Sequence, residues 1–121
     1  NSSSNDSVKT KVVKLSTFIE THTPRLIKMD IEGAELLALR GLGADYLKYN
    51  RVDFVIEYHP YEMSFFDIEG EQVLDFFIDT GYKFRNLAFP DSPIISREEI
   101  LKKYKKEDRS ITNLFCSKTI D

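Results

Sequence analysis

Acidic and histidine side chains follow two apolar segments of this sequence. Asp30 and Glu32 come directly after the segment LIKM, and Glu57 and His59 end the segment VDFVIEYH. Carboxylate and imidazole groups can exchange protons with a substrate, and both are ligands that suit Mg²⁺ or Mn²⁺. The residue types therefore indicate a site for acid–base chemistry, and a metal site built from these four side chains is a competing interpretation.

Ordinary structural roles compete for the same residues. Glu32 and Glu35 lie where a helix is predicted to begin, and carboxylates there favour the positive end of the helix dipole. We assign Glu35 to this structural role and leave Glu32 open between the two roles. Asp30 precedes the helix and ends a strand, so we assign it to function. His59 precedes Pro60, which can end a strand, and its role also stays open.

Apolar periodicity predicts the elements that position these residues. Predicted strands cover residues 9–15, 25–31, 52–60, 82–89 and 112–118. Predicted helices begin near Thr17 and cover residues 34–41, 69–80 and 96–106, with a helical turn at 44–50. Capping boxes are predicted for Thr17 with Glu20 and for Ser96 with Glu99. The predicted apolar face of the helix at 34–41 consists of Ala34, Leu37, Ala38 and Gly41.

The alternation of strands and helices predicts an α/β fold with a layered sheet. The last strand follows a helical insert, so it can run antiparallel to its neighbour. Ligands of open α/β sheets bind outside the carboxyl ends of the strands. If the strands at 25–31 and 52–60 are neighbours, Asp30, Glu57 and His59 meet at one opening.

The segments LIKMDIEGAELLALRG and VDFVIEYHP together resemble the second half of the FkbM-type methyltransferases. The family's K-x-D-x-E-G-x-E motif is matched by Lys28, Asp30, Glu32, Gly33 and Glu35. Its E-x-H motif is matched by Glu57 and His59, and the resemblance runs from about residue 9 to residue 118. The resemblance implies a Rossmann-like class I methyltransferase sheet, of which this chain supplies the later strands, mixed with an antiparallel last strand.

The resemblance also implies the cofactor S-adenosylmethionine, with a binding site mostly outside this chain. Such enzymes carry a glycine-rich turn after their first strand, and the five glycines here form no G-x-G-x-x-G or near relative. We expect a disordered tail or linker at residues 1–8, followed at 9–121 by the carboxyl-terminal part of a methyltransferase-like domain. The alternative is a degenerate descendant that serves as a non-catalytic binding or assembly module. In either case the strand at 25–31 is expected to have an open edge, which pairs with a missing amino-terminal half or with a second copy.

By resemblance, the reaction is methyl transfer, and a hydroxyl group is the expected acceptor. His59 is then the first candidate for the base, because imidazole titrates near neutral pH, and Asp30 is the second. Glu32 and Glu57 are expected to accept hydrogen bonds from the substrate. This interpretation requires no metal, and it leaves the acceptor open among a small molecule, a glycan and a lipid.

Composition limits the remaining possibilities. The chain has 121 residues, enough for one domain, and its net charge of −3 does not indicate a nucleic acid partner. No apolar run is long enough to cross a bilayer. The single cysteine excludes an intrachain disulfide and suits a reducing compartment, so a cytoplasmic location is expected.

Overall fold

The computed structural model describes residues 7–121, which form a five-stranded sheet with helices packed against it. The strands are β1 (Leu26–Met29), β2 (Asp53–Tyr58), β3 (Lys83–Asn86), β4 (Ile94–Ile95) and β5 (Thr112–Ser117). The helices are α1 (Leu15–Ile19), α2 (Glu35–Leu42), α3 (Ala44–Tyr49), α4 (Pro60–Met63), α5 (Gly70–Asp79) and α6 (Arg97–Lys103). A 3-10 turn, Ser64–Phe66, follows α4.

The sheet combines one parallel pair with several antiparallel pairs, in the order β1-β2-β5-β3-β4. β1 and β2 run parallel. β5 runs antiparallel to both β2 and β3, and β4 runs antiparallel to β3. The predicted mixed α/β sheet with an antiparallel last strand is therefore confirmed.

Strand β2 forms the centre of the hydrophobic core. Its apolar residues alternate with more polar ones, so Phe54, Ile56 and Tyr58 all face inward and are fully buried. Helix α5 supplies Phe77, whose ring packs edge-to-face on Phe54 with the centroids 5.3 Å apart. The resulting core holds β2 rigidly in the sheet, which fixes the direction in which its carboxyl end points.

The capping signal at α6 is confirmed. The N–H of Glu99 donates to Ser96 Oγ at 3.2 Å, and the N–H of Ser96 donates to Glu99 Oε1 at 3.0 Å. The capping signal at α1 is wrong, because this helix already begins at Leu15 and Thr17 lies inside it.

The predicted strand at residues 9–15 is also wrong, because residues 9–14 have no regular secondary structure and Leu15 opens α1. Val12 and Val13 are adjacent, so a strand would direct them to opposite faces and could bury only one of them. Both are exposed, at 92% and 55%. The predicted tail at residues 1–8 lies mostly outside the described residues, which begin at residue 7.

The predicted apolar face of α2 is wrong as well. The helix buries Leu36, Leu39 and Leu42, whereas Leu37 is 47% exposed. Leu37, Ala38 and Gly41 of the predicted face instead border an open groove between α2, β1, α1 and the segment before α1, and this groove has a volume of about 730 Å³. Strand β4 was not predicted, because its two residues are too few to show a periodic pattern.

Strand β1 lies at the edge of the sheet. Among residues 7–121 it pairs with β2 alone, so its other side has no strand partner in the described part of the chain. The open edge that the sequence predicts is therefore present, while its occupant stays a prediction. None of the helices in residues 7–121 combines the length and the apolar composition needed to cross a bilayer.

Candidate active site

The parallel register of β1 and β2 brings Asp30 beside Glu57. Met29 lies opposite Ile56 in the ladder. The residues that follow them, Asp30 and Glu57, therefore lie side by side at the carboxyl ends of the two strands. Asp30 is exposed, and its carboxyl group is close enough to Glu57 for its charge to raise the pKa of that residue. Like charges placed side by side disfavour the ionised form of a carboxyl group. The two strand ends therefore hold a neighbouring pair of acidic side chains.

Glu57 is a perturbed acid. Burial of its side chain, which is 17% exposed, is the largest cause that raises its pKa to about 7. The neighbouring carboxyl group of Asp30 raises the pKa further, and the charges of Glu62 and Glu35 add smaller contributions. At neutral pH, Glu57 can therefore either donate or accept a proton.

Glu35 has a structural role in the turn that follows β1. It is fully buried, and its two carboxylate oxygens accept hydrogen bonds from the N–H groups of Ile31 and Gly33, both at 3.1 Å. These bonds close the turn that places Asp30 at the strand end. The turn also holds Glu32 in a left-handed conformation, with a φ of 54°, where its side chain is exposed.

Gly33 allows this turn to pack closely on helix α4. Its φ is 99°, and a Cβ at this position would lie 2.5 Å from the carbonyl carbon and oxygen of Glu62. Real Cβ atoms do not approach backbone atoms so closely, so any other residue would push the two segments apart. This contact fixes α4, and with it Glu62, relative to the turn that carries Asp30.

His59 lies between the carboxyl groups of Glu57 and Glu62. It occupies the N-cap position of α4, followed by Pro60 in the first helical turn. Its Nδ1 atom is 3.1 Å from Glu62 Oε1 and 3.9 Å from Glu57 Oε1. Nδ1 and Glu62 Oε2 are buried, and neither has a partner with the alignment of a hydrogen bond. Asp30, Glu57 and His59 thus form a row in which Glu57 lies between the other two, beside Asp30 in the register of the strands and 3.9 Å from His59.

Sequence reasoning missed Glu62. Its signal was the spacing H-P-x-E, in which Pro60 starts a helical turn and places residue 62 over residue 59. Glu62 also changes the competing metal interpretation. The possible ligand atoms that lie within 4.8 Å of one another belong to Glu57, His59 and Glu62. Asp30 and Glu32, which the sequence suggested as ligands, are outside that group.

An aromatic wall lies next to His59. The Tyr61 ring centroid is 6.2 Å from that of His59 and 5.1 Å from that of Phe65, whose side chain is exposed. The guanidinium of Arg109, from the segment between α6 and β5, lies 4.2 Å from the Tyr61 ring centroid. The acidic cluster, which consists of Asp30, Glu57, Glu62 and the adjoining His59, therefore has aromatic side chains on one side. A basic side chain, Arg109, lies beyond them.

Together, the mixed sheet and the acidic cluster with histidine at its strand ends define an α/β protein with a candidate acid–base site. A family model described as Methyltransferase FkbM domain matches residues 1–84. The match covers more than half of the chain and all the residues of the cluster, so the chain belongs to the FkbM methyltransferase domain family. This membership indicates methyl transfer as the general type of function. No curated protein and no solved structure matches the chain.

Proposed function

We propose that this chain provides the acceptor side of an S-adenosylmethionine-dependent methyltransferase that methylates a hydroxyl group. The observation that carries the proposal is the row of Asp30, Glu57 and His59 at the carboxyl ends of two parallel strands, in a chain of a methyltransferase family. The strand order and the antiparallel β5 support the later strands of a Rossmann-like class I sheet as the fold.

His59 is the proposed base. S-adenosylmethionine, when bound, supplies a methyl group on a positively charged sulfur. The acceptor oxygen would take this methyl group, and the electron pair of the carbon–sulfur bond would remain on the sulfur. The hydroxyl proton passes to His59 or, as the second candidate, to Asp30. The chain must also hold the acceptor in line and exclude water, and we assign this positioning to Glu57 and Glu32.

The negative charges around Glu57 support the proposal that a cationic group binds nearby. Asp30, Glu35 and Glu62 all raise the pKa of Glu57 through their charges. A positive sulfonium close to Asp30 would relieve this repulsion. The rest of the cofactor site is proposed to lie outside these 121 residues, because the chain contains no glycine-rich turn of the required kind.

The test uses the complete methyltransferase, in which this chain is joined to its cofactor-binding half. We expect His59→Ala to lower kcat by about 100-fold or more, and Asp30→Asn to lower it by about 10-fold. His22→Ala is the matched control, because His22 is the second of the two histidines and is exposed near the end of α1, stacked on Phe18. Unchanged turnover in both site variants would remove both residues from the mechanism.

Calorimetric titration separates the enzyme from the alternative, a non-catalytic binding or assembly module. We expect no tight binding of S-adenosylmethionine to this chain alone and tight binding to the complete methyltransferase. If the chain is instead a non-catalytic module, we expect a partner at the open edge of β1, either a missing amino-terminal half or a second copy. Size-exclusion chromatography that gives a stable monomer would argue against self-association there.

The proposed acceptor is a small molecule, a glycan or a lipid rather than a nucleic acid. Tyr61 and Phe65 offer aromatic rings beside His59 on which a sugar face or an apolar chain can pack. A cytoplasmic location is proposed as well, because the single cysteine, Cys116, is free and buried. Fluorescence microscopy of the tagged protein in its own cell checks the location.

A further inference from the structure

Glu62 is the carboxylate closest to His59. Its Oε1 atom lies 3.1 Å from Nδ1, which is 0.8 Å nearer than the Oε1 atom of Glu57. The side chains of His59 and Glu62 are only 14% and 27% exposed, so water has limited access to the space between them. Leaving Nδ1 and a carboxylate side by side without a proton between them costs free energy, and this cost favours a proton on Nδ1.

The backbone holds this pair together independently of any ligand. The N–H of Met63 donates to the carbonyl of His59 at 3.1 Å, which closes the turn that carries both side chains. On the other side, Gly33 packs against the peptide between Glu62 and Met63. The Cα atoms of residues 59 and 62 are therefore fixed, and only their side-chain torsions remain free to improve the alignment.

A histidine can act as a base only through a ring nitrogen that carries no proton. In a neutral imidazole one nitrogen is a donor and the other an acceptor, and the partner of the first determines the state of the second. Nε2 has no hydrogen-bond partner within the described part of the chain. A proton held on Nδ1 leaves Nε2 as the acceptor.

We propose that Glu62 is a positioning residue that holds the proton of His59 on Nδ1, so that Nε2 is free to take the proton of the acceptor hydroxyl. This inference rests on the proposed function and adds a residue to it. Glu57 is a weaker candidate for the role, because its Oε1 atom is 3.9 Å from Nδ1 and it is paired by the strand register with another carboxyl group, that of Asp30.

The direct test is ¹⁵N NMR of the histidine rings in this chain, which has only two histidines. The ring nitrogen shifts report which nitrogen carries the proton, and exposed His22 serves as an internal reference. We expect His59 to be protonated on Nδ1 at a pH where its ring is neutral. Glu62→Met keeps the length of the side chain but removes the acceptor, and should move the proton to Nε2, the form that free histidine prefers in water. Glu62→Gln keeps an acceptor oxygen and should retain the Nδ1 form.

Turnover in the complete methyltransferase provides the second readout. We expect Glu62→Met to lower kcat by about 10- to 100-fold with little change in KM, and Glu62→Gln to recover most of that loss. A proton that stays on the same nitrogen in Glu62→Met would overturn the proposal. A chelator-sensitive metal-bound signal at His59 would overturn it too, because Glu57, His59 and Glu62 would then be ligands.

Failure of this inference is distinguishable from failure of the proposed function. The tautomer is measured without cofactor or acceptor, so it reports on Glu62 even if the chain takes no part in catalysis. Conversely, full turnover by His59→Ala would refute the proposed base while leaving the tautomer result intact.

Discussion

Replacing Glu57 with glutamine tests whether the acidic cluster is a source of instability. The pKa of Glu57 is raised from its ordinary value of 4.5 to about 7, first by burial and then by the neighbouring carboxyl group of Asp30. The folded protein therefore favours the protonated acid. Its stabilising contribution is fully present below about pH 4.5 and is lost as the pH rises through about 7.

The size of the effect follows from the same shift. At about 1.4 kcal/mol per pH unit, the shift corresponds to about 3 kcal/mol as an upper bound. Glu57 is 17% exposed and lies beside exposed Asp30, so solvent screening reduces this amount. We expect a loss of about 1–2 kcal/mol in the free energy of unfolding of the wild type between about pH 4 and pH 8 from this group.

Glu57→Gln mimics the protonated acid at every pH. We expect it to match the wild type near pH 4 and to be more stable by about 1–2 kcal/mol near pH 8, as measured by urea unfolding at several pH values. Glu107→Gln, which removes the same charge from an exposed position between α6 and β5, should follow the wild-type curve. Asp30→Asn should lower the pKa of Glu57 and flatten the wild-type dependence without abolishing it, because the contribution of burial remains.

Parallel stability curves for the wild type and Glu57→Gln across this pH range would refute the reasoning. They would mean that Glu57 is ionised at neutral pH at no cost, and hence that burial and the charge of Asp30 do not perturb it.

Further predictions concern the elements that support the site, and urea unfolding measures each of them. Gly33→Ala should cost about 2 kcal/mol more than Gly43→Ala, because both glycines have a φ near 100° but only the first has backbone atoms where a Cβ would lie. Equal costs would show that this close approach is unimportant. Glu35→Gln should cost about 1–3 kcal/mol, because an amide has only one oxygen to accept the two backbone hydrogen bonds. Asn86→Ala should cost about 2–4 kcal/mol, because buried Asn86 donates to the Tyr104 hydroxyl at 2.8 Å and accepts two further hydrogen bonds. A loss below about 1 kcal/mol would contradict its role.

Sequence periodicity identified the strands that carry the site because those strands obey simple rules. In β2, alternate residues are buried, so the pattern of Phe54, Ile56 and Tyr58 is visible without a structure. Helix α6 was visible because its capping box is local to four residues. Both signals depend on neighbours in sequence alone.

Features that depend on distant segments could not be predicted in this way. The segment at residues 9–14 has strand-like residues, but a strand also needs a partner, and none pairs with it among residues 7–121. In α2, two faces carry apolar residues, and only the packing of the helix on the sheet decides that Leu36 and Leu39 are buried while Leu37 faces the groove. Periodicity could not choose between them.

Glu35 and Glu57 show why residue spacing alone could not separate structural from functional acids. Glu35 is fully buried at the start of α2, and Glu57 is partly buried at the end of β2. Glu35 has two backbone N–H groups aimed at its oxygens, so its charge is satisfied within the fold. Glu57 has another carboxyl group beside it and a raised pKa, so the fold does not satisfy its charge. A buried charge that the protein leaves unsatisfied is a cost that folding does not explain, and perturbed acids of this kind concentrate at sites that bind or transform a ligand. Glu35 has backbone N–H donors for its carboxylate, and Glu57 has none among residues 7–121. This difference, rather than the acidic motif itself, supports the assignment of the cluster around Glu57 to function.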